Sequence, residues 1–251
     1  MGRILRELAR RYAKRGYLRV LRDRASQALD HARLERALRQ HGAELVARTL
    51  AACAVADVHP HLAWGTLLGC LREGRTIDHD YDVDFWLYPE APSEVERLKR
   101  AMQEAGFVVR REHVFTGKLA GLGYRSVISF LYPPVECWVD FSLLHPLFES
   151  VAYIEAPELT GLCLGQITNK KLLDQNFLTL AWLYPPEIFA HYKTIVFLGS
   201  KCSVSAFSDQ YLTLTYGDWK RRASKTRYRY ENMKILKCDP QTGQFECVDP
   251  W

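Results

Sequence analysis

The sequence predicts an α+β fold, a mixed β-sheet flanked by helices and preceded by a helical extension. Three observations carry that expectation. Residues 107–115, 122–132 and 136–143 alternate apolar and polar side chains at the period of strands in one sheet. Helical patterns precede and follow these stretches, with no internal repeat and no low-complexity tract. The chain has 251 residues, of which 48% are hydrophobic and 25% charged, enough to bury the core of a single globular enzyme domain.

Residues 1–24 come first, with nine Lys/Arg against Glu7 and Asp23. Leu5, Leu8, Tyr12, Leu18 and Leu21 recur at roughly helical spacing, the pattern of a basic amphipathic helix. Such a helix either makes peripheral contact with an anionic membrane surface or packs with a solvated basic face. Residues 26–56 read as one or two helices ending before His59-Pro60. A strand is expected to begin at Leu62-Ala63-Trp64, followed by a glycine turn at Gly65-Thr66 and a short helix over Leu67 to Arg72.

Residues 82–88 form the next strand, bounded by Pro89 and Pro92. Ser93-x-x-Glu96 has the form of a capping box opening a helix to Ala105. After the three alternating stretches come a strand over 149–156 and a helix over Lys170 to Leu183, stopped by Pro185-Pro186. Ser208-Asp209 starts a helix that ends near Tyr216-Gly217, with Gly217 in the left-handed terminal position. The expected organisation is an extension over 1–57, a catalytic domain over 58–232 and a tail over 233–251.

The chemistry concentrates between Leu62 and Leu87. Asp78, Asp80, Asp82 and Asp84 alternate along the chain, and residues two apart in a strand share a face about 7 Å apart. Asp82 and Asp84 therefore project together, with Val83 and Phe85 on the other face. Paired carboxylates repel unless a hard divalent cation neutralises them. Gly65-Thr66 just upstream lets backbone amides approach a phosphate. A metal-carboxylate pair facing a glycine turn points to phosphoryl or nucleotidyl transfer.

These residues resemble the LicD/fukutin group of phosphotransferases within the nucleotidyltransferase-fold superfamily. The resemblance rests on Gly65-Thr66-Leu67-Leu68-Gly69, Arg72 and the acidic run Asp80, Asp82, Asp84, in which Tyr81 stands. It rests also on Trp138-Val139-Asp140-Phe141, and on Phe197-Leu198-Gly199, Tyr211-Leu212 and Tyr216-Gly217-Asp218-Trp219. It implies a nucleotidyltransferase-like sheet with Asp82, Asp84 and Asp140 holding Mg2+ or Mn2+. Asp140 would complete the metal shell or take a proton from the attacking hydroxyl, and Asp80 would be a further ligand or an acid-base group. Gly65 and Thr66 would hold phosphate oxygens, assisted by Arg72.

The implied donor is a CDP-activated alcohol carrying phosphocholine, glycerol phosphate or ribitol phosphate. The implied acceptor is a sugar hydroxyl of a cell-surface or lipid-linked glycan. Two other readings stand beside this one: a nucleotidyltransferase releasing pyrophosphate from an NTP, and a non-catalytic nucleotide-binding or membrane-surface module.

Other features bear on function by exclusion. Seven scattered cysteines lack C-x-x-C pairs, which fits reduced thiols in a cytoplasmic protein; Cys238 and Cys247 flank a turn and could meet across a hairpin. No apolar run approaches the ~20 residues of a membrane span, and no apolar h-region follows the basic start. Thr116-Gly117-Lys118 lacks the first glycine of a P-loop, and no nucleic-acid signature accompanies the basic charge. The basic cluster Lys220 to Arg229 reads as a solvated tail or a grip on an anionic acceptor. His79 is expected as a hydrogen-bond partner, and His59 and His61 as packing residues.

Overall fold

The computed structural model describes residues 31–89, 91–114, 125–154, 178–222, 232–239, 242 and 244–248. The basic N-terminal segment, Lys118 and most of the second basic cluster lie outside these residues.

Helix α1 covers residues 31–56 and buries Leu38, Leu45, Val46, Cys53 and Ala56 along one side, the stripe expected of a helix laid on a sheet. Strand β1 (His61–Leu62) is only two residues long, and helix α2 (Trp64–Glu73) begins almost at once. The glycine turn expected at Gly65-Thr66 is therefore the first turn of α2. Trp64 takes φ 41°, a left-handed conformation unusual for a bulky residue, and this reverses the chain without a glycine. Its backbone N–H donates to the Tyr211 hydroxyl, and its indole N–H to Ser142 Oγ.

Strand β2 (Asp82–Leu87) and helix α3 (Pro92–Glu104) follow. The expected capping box does not form. Pro92 takes the first helical position, Ala91 precedes it as an uncapped N-cap, and Glu96 instead pairs with Lys99 and Arg125. Strands β3 (Val108–Val114), β4 (Arg125–Tyr132), β5 (Cys137–Leu147) and β6 (Ser150–Ile154) come next.

The helix expected to reach Leu183 is corrected at its C-terminal end: Leu178–Tyr184 is strand β7, and 170–177 lie outside the described residues. The run Leu-Thr-Leu-Ala-Trp-Leu-Tyr is apolar but for Thr179 and the Tyr184 hydroxyl, as suits a central strand pairing with β6 on one side and β10 on the other. Strands β8 (Tyr192–Phe197) and β9 (Ser200–Ser205) form a hairpin. Its turn, Leu198-Gly199, has positive φ at both residues, as a two-residue turn matched to strand twist requires.

Helix α4 (Ser208–Tyr216) ends at Gly217, whose φ 67°, ψ −128° is open to glycine but is not the left-handed helical position expected. The stretch beyond 232 carries β10 (Met233–Cys238) and β11 (Phe245–Val248), so these residues belong to the sheet. Within that hairpin Cys238 faces Phe245 and Leu236 faces Cys247, so the two cysteines are offset; Cys247 is a free, exposed thiol.

Strand order across the described sheet is β11-β10-β7-β6-β5-β2-β1-β9-β8, with β3 and β4 joined through β5. The long β5 explains the branching. Its first half pairs with β4 and its second half with β6, while β2 lies parallel along the first half. Among the described residues no helix is long and apolar enough to cross a membrane.

Candidate metal-carboxylate site

Two adjacent parallel strands build the site. The register pairs Asp82 with Trp138, Asp84 with Asp140 and Trp86 with Ser142. Side chains alternate, so Val83, Phe85, Val139 and Phe141 enter the core while the three aspartates share the opposite face. One carboxylate oxygen from each of Asp82, Asp84 and Asp140 lies within 4.8 Å of the other two.

The row continues across the sheet. Ser129 on β4 stands opposite Asp140, and Arg111 on β3 stands opposite Ser129. Arg111 donates from Nε to Ser129 Oγ and from Nη2 to Asp140 Oδ2, each at 3.1 Å.

The carboxylates repel each other strongly. Burial first, then Asp80 and Asp140, holds the Asp82 carboxyl well above the usual range, against the opposing pull of Arg111. Burial, then Asp82, Asp80 and Asp140, does the same to Asp84. Tyr81 lies beside them, its phenol pushed up to about 12 by burial and by Asp82, Asp140 and Asp84. Three oxygen ligands converging in a buried place, each disfavouring the ionisation of the next, are a donor set that a hard divalent cation fits.

The four alternating aspartates do not act together. The turn before β2, with His79 at φ 72°, sends Asp78 to Arg75 at 3.0 Å, Arg39 at 3.5 Å and Arg222 at 3.7 Å. Arg75 foremost, by hydrogen bond, holds the Asp78 carboxyl below its ordinary value. Asp80 stays with the cluster, hydrogen-bonded to Asp82 and next to Gly65, where an added Cβ would meet its Oδ2 at 3.3 Å. His79 bonds Glu35 of α1 at 3.1 Å, and Tyr81 meets His31 edge-on, so α1 covers this turn.

The N-terminus of α2 is fastened to Asp84 at two points. Ala63 donates its backbone N–H to the Asp84 carbonyl at 3.0 Å. Asp84 in turn donates its N–H to Thr66 Oγ1 at 2.9 Å. The Thr66 side chain, expected on a phosphate, is fully buried and serves to fix the height of Asp84. Gly69 supplies the close approach that brings the acidic run back over α2. A Cβ there would lie 2.5 Å from the Arg75 carbonyl and 2.9 Å from the Ile77 nitrogen.

Arg72 is placed differently from the phosphate-binding position the resemblance implies. Its side chain is 12% exposed, bonded to Glu73 and to the Trp219 carbonyl, and no hydrogen bond or ion pair among the described residues joins it to the aspartates. It ties α2 to the Tyr216-Gly217-Asp218-Trp219 segment, where Trp219 packs in the core and Asp218 pairs with Arg221. His61 stacks on Tyr192 and bonds Ser203, whereas His59 is exposed. Arg111, Ser129 and Tyr81 gave no signal in the sequence, because Arg111 and Ser129 reach Asp140 only through strand pairing.

Comparison with known proteins accords with this geometry. No curated protein matches the chain. Residues 57–129 match the family model described as LicD/FKTN/FKRP, nucleotidyltransferase domain. The matched segment contains Gly65, Thr66, Arg72, Asp80, Asp82 and Asp84, while Asp140 follows it on the neighbouring strand. The likeness to the LicD nucleotidyltransferase domain thus covers residues 57–129, under a third of the chain, and includes the strand that bears Asp82 and Asp84.

Proposed function

We propose that the protein is a metal-dependent phosphotransferase that moves a phosphorylated alcohol from a CDP-activated donor to a sugar hydroxyl of a cell-surface glycan. The donor group is of the phosphocholine, glycerol phosphate or ribitol phosphate type. The observation that carries this reading is the convergence of Asp82, Asp84 and Asp140 within 4.8 Å on one face of two parallel strands.

In this reading Asp82, Asp84 and Asp140 hold Mg2+ or Mn2+, which supplies neutralisation of the charge that grows on phosphate oxygens during displacement. The chain's own groups do the rest. The first-turn amides of α2 have no partner within the helix, and its N-cap Ala63 offers no side-chain acceptor. The half-buried Gly65 therefore offers its N–H and the positive end of the helix dipole to a phosphate oxygen, while the fully buried Thr66 holds that turn in place. Thr66 and Ala63 hold this N-terminus in register with Asp84.

Asp80 lies outside the three-oxygen set but beside it, and its carboxylate takes the proton of the acceptor hydroxyl. The acceptor oxygen forms a bond to the phosphorus that bears the alcohol. The bond from that phosphorus to the bridging oxygen breaks, and CMP leaves with the electron pair. The basic amphipathic pattern of residues 1–24 supports action in the cytoplasm at the inner membrane surface, where a lipid-linked acceptor would be reached.

The test is a phosphorus-NMR turnover assay with Mg2+ or Mn2+, using a panel of CDP-alcohols and NTPs against glycan acceptors. CMP released by the wild type and not by Asp82→Ala is the expected result. Pyrophosphate released from an NTP would replace this reading with nucleotidyl transfer. Metal-dependent nucleotide binding with no turnover on any acceptor would favour a binding module.

A further inference from the structure

Arg111 carries no assignment in the reading above, yet among the described residues it is the guanidinium in contact with the carboxylate cluster. It sits at the end of the row Asp84, Asp140, Ser129, Arg111, which crosses four strands at one level. Ser129 Oγ fixes its Nε and Asp140 Oδ2 fixes one hydrogen of its Nη2, so the plane of the guanidinium is set by two neighbours. The remaining three of an arginine's five N–H groups have no partner among the described residues. The side chain is 44% exposed although Asp140 beside it is only 14% exposed. Half of a fixed fork is thus presented to solvent at the rim of a buried acidic site.

A structural ion pair alone does not account for this arrangement. A counter-ion to Asp140 needs charge, not a second anchor that orients the fork, and one cation among Asp80, Asp82, Asp84 and Asp140 leaves negative charge in excess. An anionic donor approaching this cluster is repelled unless positive charge meets it at the rim. The other arginines near the acidic run are engaged elsewhere: Arg72 with Glu73 and the Trp219 carbonyl, Arg75 and Arg222 with Glu73 and Asp78, and Arg39 with Glu35 and Asp78.

We propose that Arg111 is a substrate-binding residue that grips a phosphate of the diphosphate donor with the open edge of its guanidinium, and that Ser129 is the positioning residue that sets the fork. This deepens, and rests on, the reading of the cluster as a donor site. A planar fork suits two phosphate oxygens at once, which a lysine cannot match.

The test uses the full-length protein with Mn2+ and inorganic pyrophosphate as probe, both binding steps measured by isothermal titration. Arg111→Met should lower pyrophosphate affinity by about tenfold or more, the worth of a charge-assisted hydrogen bond. Mn2+ affinity measured alone should stay level or tighten, since Asp140 loses a competing partner. Arg111→Lys keeps the charge and loses the fork, so it should recover only part of the affinity. Ser129→Ala, with Arg111 intact, should weaken pyrophosphate and spare Mn2+, and it serves as the reading if Arg111→Met fails to fold.

Pyrophosphate affinity within about twofold of wild type in both Arg111→Lys and Ser129→Ala would overturn the proposal and leave Arg111 a counter-ion, as the affinity arithmetic puts that difference below half a kcal/mol. A wild type that binds neither Mn2+ nor pyrophosphate would overturn it too. Failure of the transferase reading has a different signature: pyrophosphate binding that depends on Arg111 in a protein that turns over no CDP-alcohol.

Discussion

Replacing Asp84 by asparagine should make the metal-free protein more stable while destroying its site. Two unit charges at 4.8 Å repel by about 3.5 kcal/mol at an effective dielectric constant of about 20. Asp84 faces Asp82, Asp80 and Asp140, and Arg111 opposes the field at Asp82, so burial and repulsion favour the protonated carboxyls in the folded protein. Proton uptake caps the penalty for one carboxyl: from its unfolded value of about 3.9 to pH 7 is roughly three pH units, or about 4 kcal/mol. Asp84→Asn should therefore stabilise by about 1–4 kcal/mol in chelator at pH 7, or roughly 3–12 °C in Tm for a chain of this size.

The sign follows from linkage. The folded pKa is raised, so the wild type's stability is fully present below the unfolded value of about 3.9 and is lost as pH rises through the folded value. The difference between variant and wild type should close near pH 4 and widen toward neutrality. With Mg2+ or Mn2+ at about 1,000 times Kd the order should reverse, because binding then adds about 4.1 kcal/mol to a competent site. Scanning calorimetry in EDTA and in metal, from pH 4 to pH 8, measures all of this. A variant less stable than wild type in EDTA at pH 7, or a gap unchanged at pH 4, would refute the electrostatic account.

Three further outcomes are expected. Gly69→Ala, whose Cβ would press on the Arg75 carbonyl and the Ile77 nitrogen, should cost about 1–3 kcal/mol, read as a lower midpoint in urea; an unchanged midpoint would mean the loop above α2 is not held where it stands. Leu236→Ala, at a fully buried position on β10, should cost about 2–5 kcal/mol; a neutral result would show that the last hairpin contributes nothing to the sheet. Under native conditions Cys247 should react with a thiol reagent well before Cys53, Cys70, Cys137 and Cys202, since Cys247 is exposed and burial pushes Cys53 and Cys70 up to about 12 and the other two to about 11. Peptide mapping of the label should find Cys247 modified ahead of those four, and a Cys247 that labels no faster than they do would contradict its exposure on β11.

Local spacing determined a good deal about this protein. Alternation along a strand put Asp82 and Asp84 on one face, and the apolar residues around Asp140 marked a second strand able to stand beside them. Periodicity located the helix before His59 and strands β2 to β6, because the period of the burial pattern is written in the chain itself, but it did not mark β8 to β11.

Only the tertiary structure decided which neighbours each residue met. It separated Asp78 from the other aspartates, since a turn with positive φ at His79 cannot be read from the alternation of acids. Strand β7 looks like helix in the sequence because a mostly apolar seven-residue run is alike in a central strand and a buried helix, and its partners β6 and β10 are distant in sequence. Thr66 and Arg72 take places other than those the sequence suggests, and Arg111 takes one it does not suggest at all, for the same reason. Each role is fixed by a hydrogen bond to a residue 18 or more positions away: Thr66 to Asp84, Arg72 to Trp219, Arg111 to Ser129 and Asp140. Spacing sets which residues share a face; pairing across the sheet, over long sequence separations, sets which charges meet.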